Sequence, residues 1–177
     1  MKTYVVLLRG INVGGKNVLP MKELVGLLED TGCRNVRTYI QSGNVVLQAD
    51  STSASLAERI TATIERSRGF APRVIVLGFE DLKRAIANNP FPEAESDPKA
   101  LHFGFLDSVP SHPDLEKLEA IRADTERFRL IDKVFYLHAP DGVGRSKLAA
   151  GCEKLLGVAM TDRNWRTVDT LRDMAGR

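Results

Sequence analysis

Val36-Arg37-Thr38-Tyr39-Ile40-Gln41-Ser42-Gly43-Asn44-Val45-Val46-Leu47-Gln48 holds two short runs rich in β-branched residues, separated by Ser42-Gly43. Such runs around a glycine turn predict a β-hairpin, Val36–Ile40 against Asn44–Gln48. On its N-terminal side, Pro20 opens a helix to about Thr31 that carries Leu24, Val25, Leu27 and Leu28 on one face and stops at Gly32. Before that helix, Thr3–Arg9 is an apolar strand. On the C-terminal side, Ser55 with Glu58 forms a capping box for a helix bearing Leu56, Ile60 and Ile64, closed by Gly69. A strand at Arg73–Gly78 and a short helix at Glu80–Asn88 follow, so the order is βαββαβ and then α.

The order then repeats. Ala100–Leu106 is a strand, Pro113 opens a helix with Leu115, Leu118 and Ile121, and Arg127–Ile131 with Val134–His138 forms a second hairpin. Ser146–Leu156 is a helix stopped by Gly157, Val158–Met160 a very short strand, and Thr161 caps a last helix to about Met174. Val45-Val46-Leu47-Gln48-Ala49 aligns with Phe135-Tyr136-Leu137-His138-Ala139 at a spacing of about ninety residues, which suggests duplication. The expected fold is therefore α+β, two tandem ferredoxin-like βαββαβ plaits each followed by an extra helix. The first spans 1–90 and the second 99–177; the Pro- and acid-rich stretch 91–98 is the linker.

Composition narrows the function classes. The 177 residues are 43% apolar, enough for a sizeable core, and the formal net charge of +2 gives no strong field to recruit nucleic acid or an anionic membrane. No apolar run approaches a membrane span, and the apolar N-terminus is interrupted at Arg9 with no small-residue cleavage site after it. Cys33 and Cys152 lack metal spacing and read as buried hydrophobes of a reducing, cytoplasmic compartment.

Two polar clusters are the candidate binding groups. The loop after the first strand and the first hairpin turn emerge at the same end of such a plait. Arg9, Asn12, Lys16 and Asn17 therefore approach Gln41, Ser42 and Asn44. In the second half, Arg145 and Lys147 beside Ser146 approach Arg163, Asn164 and Arg166 at the start of the last helix. Cations, amides and free helix N–H groups suit a phosphate or carboxylate. Gly10 to Lys16 nearly fits the P-loop spacing, but Asn17 stands where Mg²⁺ needs Ser or Thr, and Val18-Leu19-Pro20 delays the helix. The scattered His102, His112 and His138 read as structural, and Glu93, Glu95 and Asp97 as solvated linker charges. For RNA, the first hairpin offers only Tyr39; Phe128, Phe135 and Tyr136 of the second read as core.

The segments Leu8–Asn17, Tyr39–Val46 and Thr161–Val168 together resemble the bacterial domain-of-unknown-function family 1697, over nearly the whole chain. That resemblance implies a cytoplasmic protein of two ferredoxin-like subdomains and brings no catalytic residue, substrate or cofactor. Three functions fit these features. The first is a small anionic ligand bound, or turned over, at the polar loops. The second is nucleic-acid binding, and the third is a protein-interaction module whose polar loops only cap the fold. No membrane partner is expected, and the sequence names neither a cofactor nor an oligomeric state.

Overall fold

Each half of the chain builds an antiparallel sheet around its first strand. In the computed structural model, which describes residues 1–177, the first half runs β1 (Lys2–Arg9), α1 (Met21–Asp30), β2 (Arg34–Tyr39), β3 (Asn44–Ala49), α2 (Ser53–Arg68), β4 (Arg73–Gly78) and α3 (Phe79–Ala87). The second runs β5 (Leu101–Leu106), α4 (Leu115–Ile121), β6 (Arg127–Ile131), β7 (Val134–His138), α5 (Lys147–Leu156), β8 (Met160–Asn164) and α6 (Trp165–Ala175). The fold is mixed α+β, with six helices and two four-stranded sheets ordered β2-β3-β1-β4 and β6-β7-β5-β8. Every neighbouring pair is antiparallel.

β1 lies between β3 and β4, with Leu7 opposite Asn44 and Arg9 opposite Arg73. Its sequence is apolar without alternation because both of its faces are buried. Tyr4, Val6 and Leu8 join Leu24, Leu28, Leu56, Ile60 and Ile64 of α1 and α2 in one core, while Val5 and Leu7 are buried on the opposite face. Losing one such leucine costs about 2–5 kcal/mol, so this packing sets the sheet's register. In the second half, Phe135 and Leu137 of β7 pack with Leu118 of α4 and Leu148, Cys152 and Leu156 of α5. Cys33 and Cys152 are free thiols in these two cores.

Several boundaries differ from the sequence reading. Thr52, not Ser55, caps α2: its side chain accepts from the Ser55 N–H, which makes Ser55 the third helical residue. Asp114, one residue past Pro113, caps α4 through the Lys117 N–H. Thr161 does not cap the last helix. It is a fully buried member of β8 opposite Phe105, and α6 starts at Trp165, where Asn164 Oδ1 accepts from the Thr167 N–H. Arg163 and Asn164 therefore stand on a sheet edge opposite Phe103 and His102, not in a helical first turn. Pairing with β5 overrides the capping signal of a Thr-Asp pair. Within 91–98 the chain forms a 3₁₀ turn at Pro92–Ser96.

The chain packs as two compact units, Met1–Arg84 with Thr170–Arg177, and Ala85–Asp169. The last residues of α6 thus belong with the first unit, a long-range placement that element order does not reveal.

Candidate functional site

In the first unit, the loop after β1 and the β2–β3 turn meet at one end of the sheet and are tied together by asparagines. Asn12 Nδ2 donates to the Gln41 and Leu19 carbonyls, both at 2.9 Å, while its Oδ1 accepts from the Leu19 N–H at 2.7 Å. Asn17 Nδ2 donates to the Gly10 carbonyl at 2.8 Å. The buried Asn44 donates to Tyr39 O at 3.1 Å and Ser42 Oγ at 2.9 Å. Two main-chain bonds, Asn12 N–H to Asn17 O and Lys16 N–H to Val13 O, close the loop on itself.

Gly43 is required where the turn crosses β1. Its φ is +87°, a Cβ there would lie 2.7 Å from Leu8 Cβ, and its carbonyl accepts from the Leu8 N–H at 2.8 Å. The result is a tight, cross-braced tip. Among the predicted ligand residues, Asn12, Asn17 and Asn44 spend their amides on the chain's own backbone, and two N–H groups of the glycine loop are likewise engaged. Arg9, Lys16, Gln41 and Ser42 remain exposed around them.

What the sequence reading missed is apolar. Of the six large hydrophobic residues exposed on this chain, three lie on these two loops: Val13 at 65%, Val18 at 56% and Ile40 at 53%. Ile40 also has φ +50°, a left-handed backbone that a β-branched side chain rarely adopts. No Asp or Glu occurs from residue 9 to 22 or from 34 to 49, and Lys16 supplies a cation beside Val13 and Val18.

In the second unit, Arg145 and Lys147 are exposed on either side of Ser146, which caps α5 by accepting from the Ala149 N–H. Ser146 Oγ in turn donates to the buried carboxylate of Glu126, which also accepts from the Ala123 N–H at 2.8 Å. A cavity of about 290 Å³ lies beside this helix start, with Phe135, Leu137, Cys152 and Met160 as apolar lining and Ser146 and Asp162 as polar lining. Asp162 Oδ2 meets His102 Nδ1 at 2.8 Å, and His102 Nε2 meets the Lys99 carbonyl at 3.0 Å. Both ring nitrogens face acceptors, an arrangement that only the doubly protonated imidazolium satisfies. Burial opposes that charge, but Asp162 and the Lys99 carbonyl outweigh it and raise the pKa above its ordinary value. The ring has no nitrogen left to serve as base for Cys152, whose thiol burial pushes up to about 11, with Asp162 adding to the rise. This is not an activated nucleophile. Burial pulls the half-buried Arg163 guanidinium down to about 10 against the attraction of Asp162. Asn164 is half-buried and engaged with α6, and Arg166 is exposed in that helix's first turn.

His138 lies near the start of β5, where Arg127 Nη2 donates to its Nδ1 at 2.9 Å and to Glu93 Oε1 at 2.6 Å, and where Phe91 stacks under the Arg127 guanidinium. The predicted linker carboxylate Glu93 is thus a structural ion-pair partner. Phe103 and Tyr136 meet edge to face with centroids 4.8 Å apart, and with Phe135 they are at most 1% exposed, so these aromatics offer no open stacking surface to a nucleobase. No group of three or more His, Cys, Asp or Glu is arranged to hold a metal ion.

Comparison with known proteins bears on the fold and the family. No curated protein matches the chain. A solved structure of a conserved bacterial protein from Streptococcus pneumoniae superposes with a TM-score of 0.69 at 25% identity, covering 98% of both chains. The family described as "Protein of unknown function (DUF1697)" matches residues 1–136, and the chain belongs to that family.

Proposed function

We propose that this protein is a recognition module that engages a partner macromolecule through the tip of its first unit. The observation that carries this reading is the exposure of Val13, Val18 and Ile40 on two loops locked together by Asn12. Exposed aliphatic side chains on a cross-braced frame, one of them on a strained backbone, cost stability and suit an interface. The amides that suggested an anion site cap the backbone instead, which supports the interaction reading over a small-ligand site at this end.

The sheet order β2-β3-β1-β4, repeated as β6-β7-β5-β8, further supports reading the chain as two tandem ferredoxin-like plaits, 1–90 and 99–177, joined by 91–98. Two free buried cysteines suit a cytoplasmic location.

The test is the size of the native chain in fresh extracts. The wild type should elute in a complex larger than its 19.5 kDa. A triple variant, Val13→Ser, Val18→Ser and Ile40→Gly, should elute at the size of the isolated chain with an unchanged circular-dichroism spectrum. Co-elution of the triple variant with the wild type would refute the reading.

A second reading keeps a small phosphate or carboxylate. It is favoured by one observation, the exposed Arg145 and Lys147 on either side of Ser146, which itself lines the cavity at the start of α5. Such a ligand at a hundred times its dissociation constant adds about 2.7 kcal/mol. For a chain of this size that is a thermal shift of roughly 5–10 °C. The shift should disappear in Lys147→Ala if this cluster holds the anion.

A further inference from the structure

The chemistry of the tip narrows its partner, on the premise that the tip is the recognition element. Three occupants are physically available: a lipid surface, a second copy of this chain, or a segment of another protein. For a membrane, each Lys or Arg near an anionic surface contributes about 1 kcal/mol, and stable attachment takes a polybasic patch or a large apolar face. The two loops of the tip carry Arg9 and Lys16 as exposed cations and a single aromatic residue, the half-buried Tyr39. That is too little charge and too little interfacial anchoring. For a second copy, three partly exposed aliphatic side chains fall well short of the about 800 Å² per partner that a standard interface buries. A two-fold contact centred on this tip would also bring Lys16 towards its own symmetry mate. A protein segment meets neither objection, because it can supply apolar anchors and opposite charge within a small footprint.

We propose that the tip docks an acidic amphipathic segment of a partner protein, with apolar anchors on Val13, Val18 and Ile40 and a carboxylate against Lys16 Nζ. The frame for this is already built. Asn12 holds the 10–19 loop to the carbonyl of Gln41, beside Ile40, and Gly43 presses the turn onto Leu8. The three apolar side chains therefore stand at fixed places before a partner arrives, and little ordering entropy is left to lose on docking. The absence of acidic residues across both loops leaves the charge of Lys16 unopposed within them and disfavours basic segments by like-charge repulsion.

The probes are three synthetic amphipathic helical peptides with identical leucine positions, edged by Glu, by Gln or by Lys, and vesicles of anionic phospholipid. They are titrated into the full-length chain while the methyl resonances of Val13, Val18 and Ile40 are followed. The Glu-edged peptide should shift these three residues and bind about tenfold or more tighter than the Gln-edged one, a difference of about 1.4 kcal/mol. Lys16→Glu should reverse the preference towards the Lys-edged peptide while the remaining methyl spectrum stays in place. Equal binding of all three peptides at these methyls would overturn the acidic partner while leaving the tip as a recognition element. Shifts with vesicles but not with the Glu-edged peptide would overturn it in favour of a lipid surface. Absence of any shift at the tip would overturn it together with the premise.

Discussion

Ile40 is the residue whose chemistry and conformation disagree most plainly. A β-branched side chain at φ +50° and 53% exposed contributes little to the core and strains the main chain. Releasing such strain is worth about 1–2 kcal/mol. Ile40→Gly should therefore raise the melting temperature by roughly 2–4 °C per kcal/mol recovered. Calorimetry checks it, and a lower melting temperature would mean that Ile40 packs usefully at home.

Asn44 is the opposite case, since it is fully buried and donates both to Tyr39 O and to Ser42 Oγ. Asn44→Ala should destabilise by about 1–3 kcal/mol, the cost of losing the two hydrogen bonds that this buried side chain donates, as read by chemical denaturation.

His102 gives a pH dependence with a definite sign. Its folded pKa lies above the ordinary 6.5, while the unfolded chain keeps the ordinary value. The stabilisation is therefore complete below about pH 6.5 and is lost as pH rises through the higher folded value. The difference in unfolding free energy between wild type and Asp162→Asn should shrink on going from about pH 6 to about pH 9. A difference that stays constant across that range would mean that the ring is neutral in the fold.

At the scale of elements, β8 separates two readings of the same five residues. If Thr161 capped a helix, replacing it would cost about 1 kcal/mol. In the fold it sits in a strand opposite Phe105 with its buried hydroxyl lacking a hydrogen-bond partner. Thr161→Val should thus stabilise by about 1 kcal/mol, through a relieved polar burial and a better strand former. Thermal denaturation decides by the sign alone.

The same element marks the limit of what local pattern reveals. β4, β6 and β7 stand where the sequence puts them, at Arg73–Gly78, Arg127–Ile131 and Val134–His138, because turn residues bound their apolar runs. Met160-Thr161-Asp162-Arg163-Asn164 is polar and short, and becomes a strand only by pairing with β5. The meeting of the two loops was legible in the sequence, and the hydrogen bonds of their side chains were not. Topology alone brings the loop after β1 to the first hairpin turn. It does not say that Asn12, Asn17 and Asn44 would be used up on carbonyls, or that Val13, Val18 and Ile40 would face solvent. A valine in a sequence reads as core until the loop that carries it is built.

For the whole molecule, neither the net charge nor the central aromatics of the second unit sets one face apart. The formal charge is only +2, and Phe103, Phe135 and Tyr136 are buried in the second unit. No helix is long and apolar enough to cross a membrane. What distinguishes the chain is local: a pair of braced loops on one unit that keep aliphatic side chains in water.

The central claim is that these side chains meet a partner. The most direct measurement places a photo-activatable cross-linking residue at Val18, and in a separate chain at the exposed Arg66 of α2, inside the cells that produce the protein. The account predicts a discrete covalent adduct from position 18, no such adduct from position 66, and loss of the first when Ile40→Gly is added to a chain that remains folded. Equal adducts from both positions, or an adduct at 18 that survives Ile40→Gly undiminished, would contradict it.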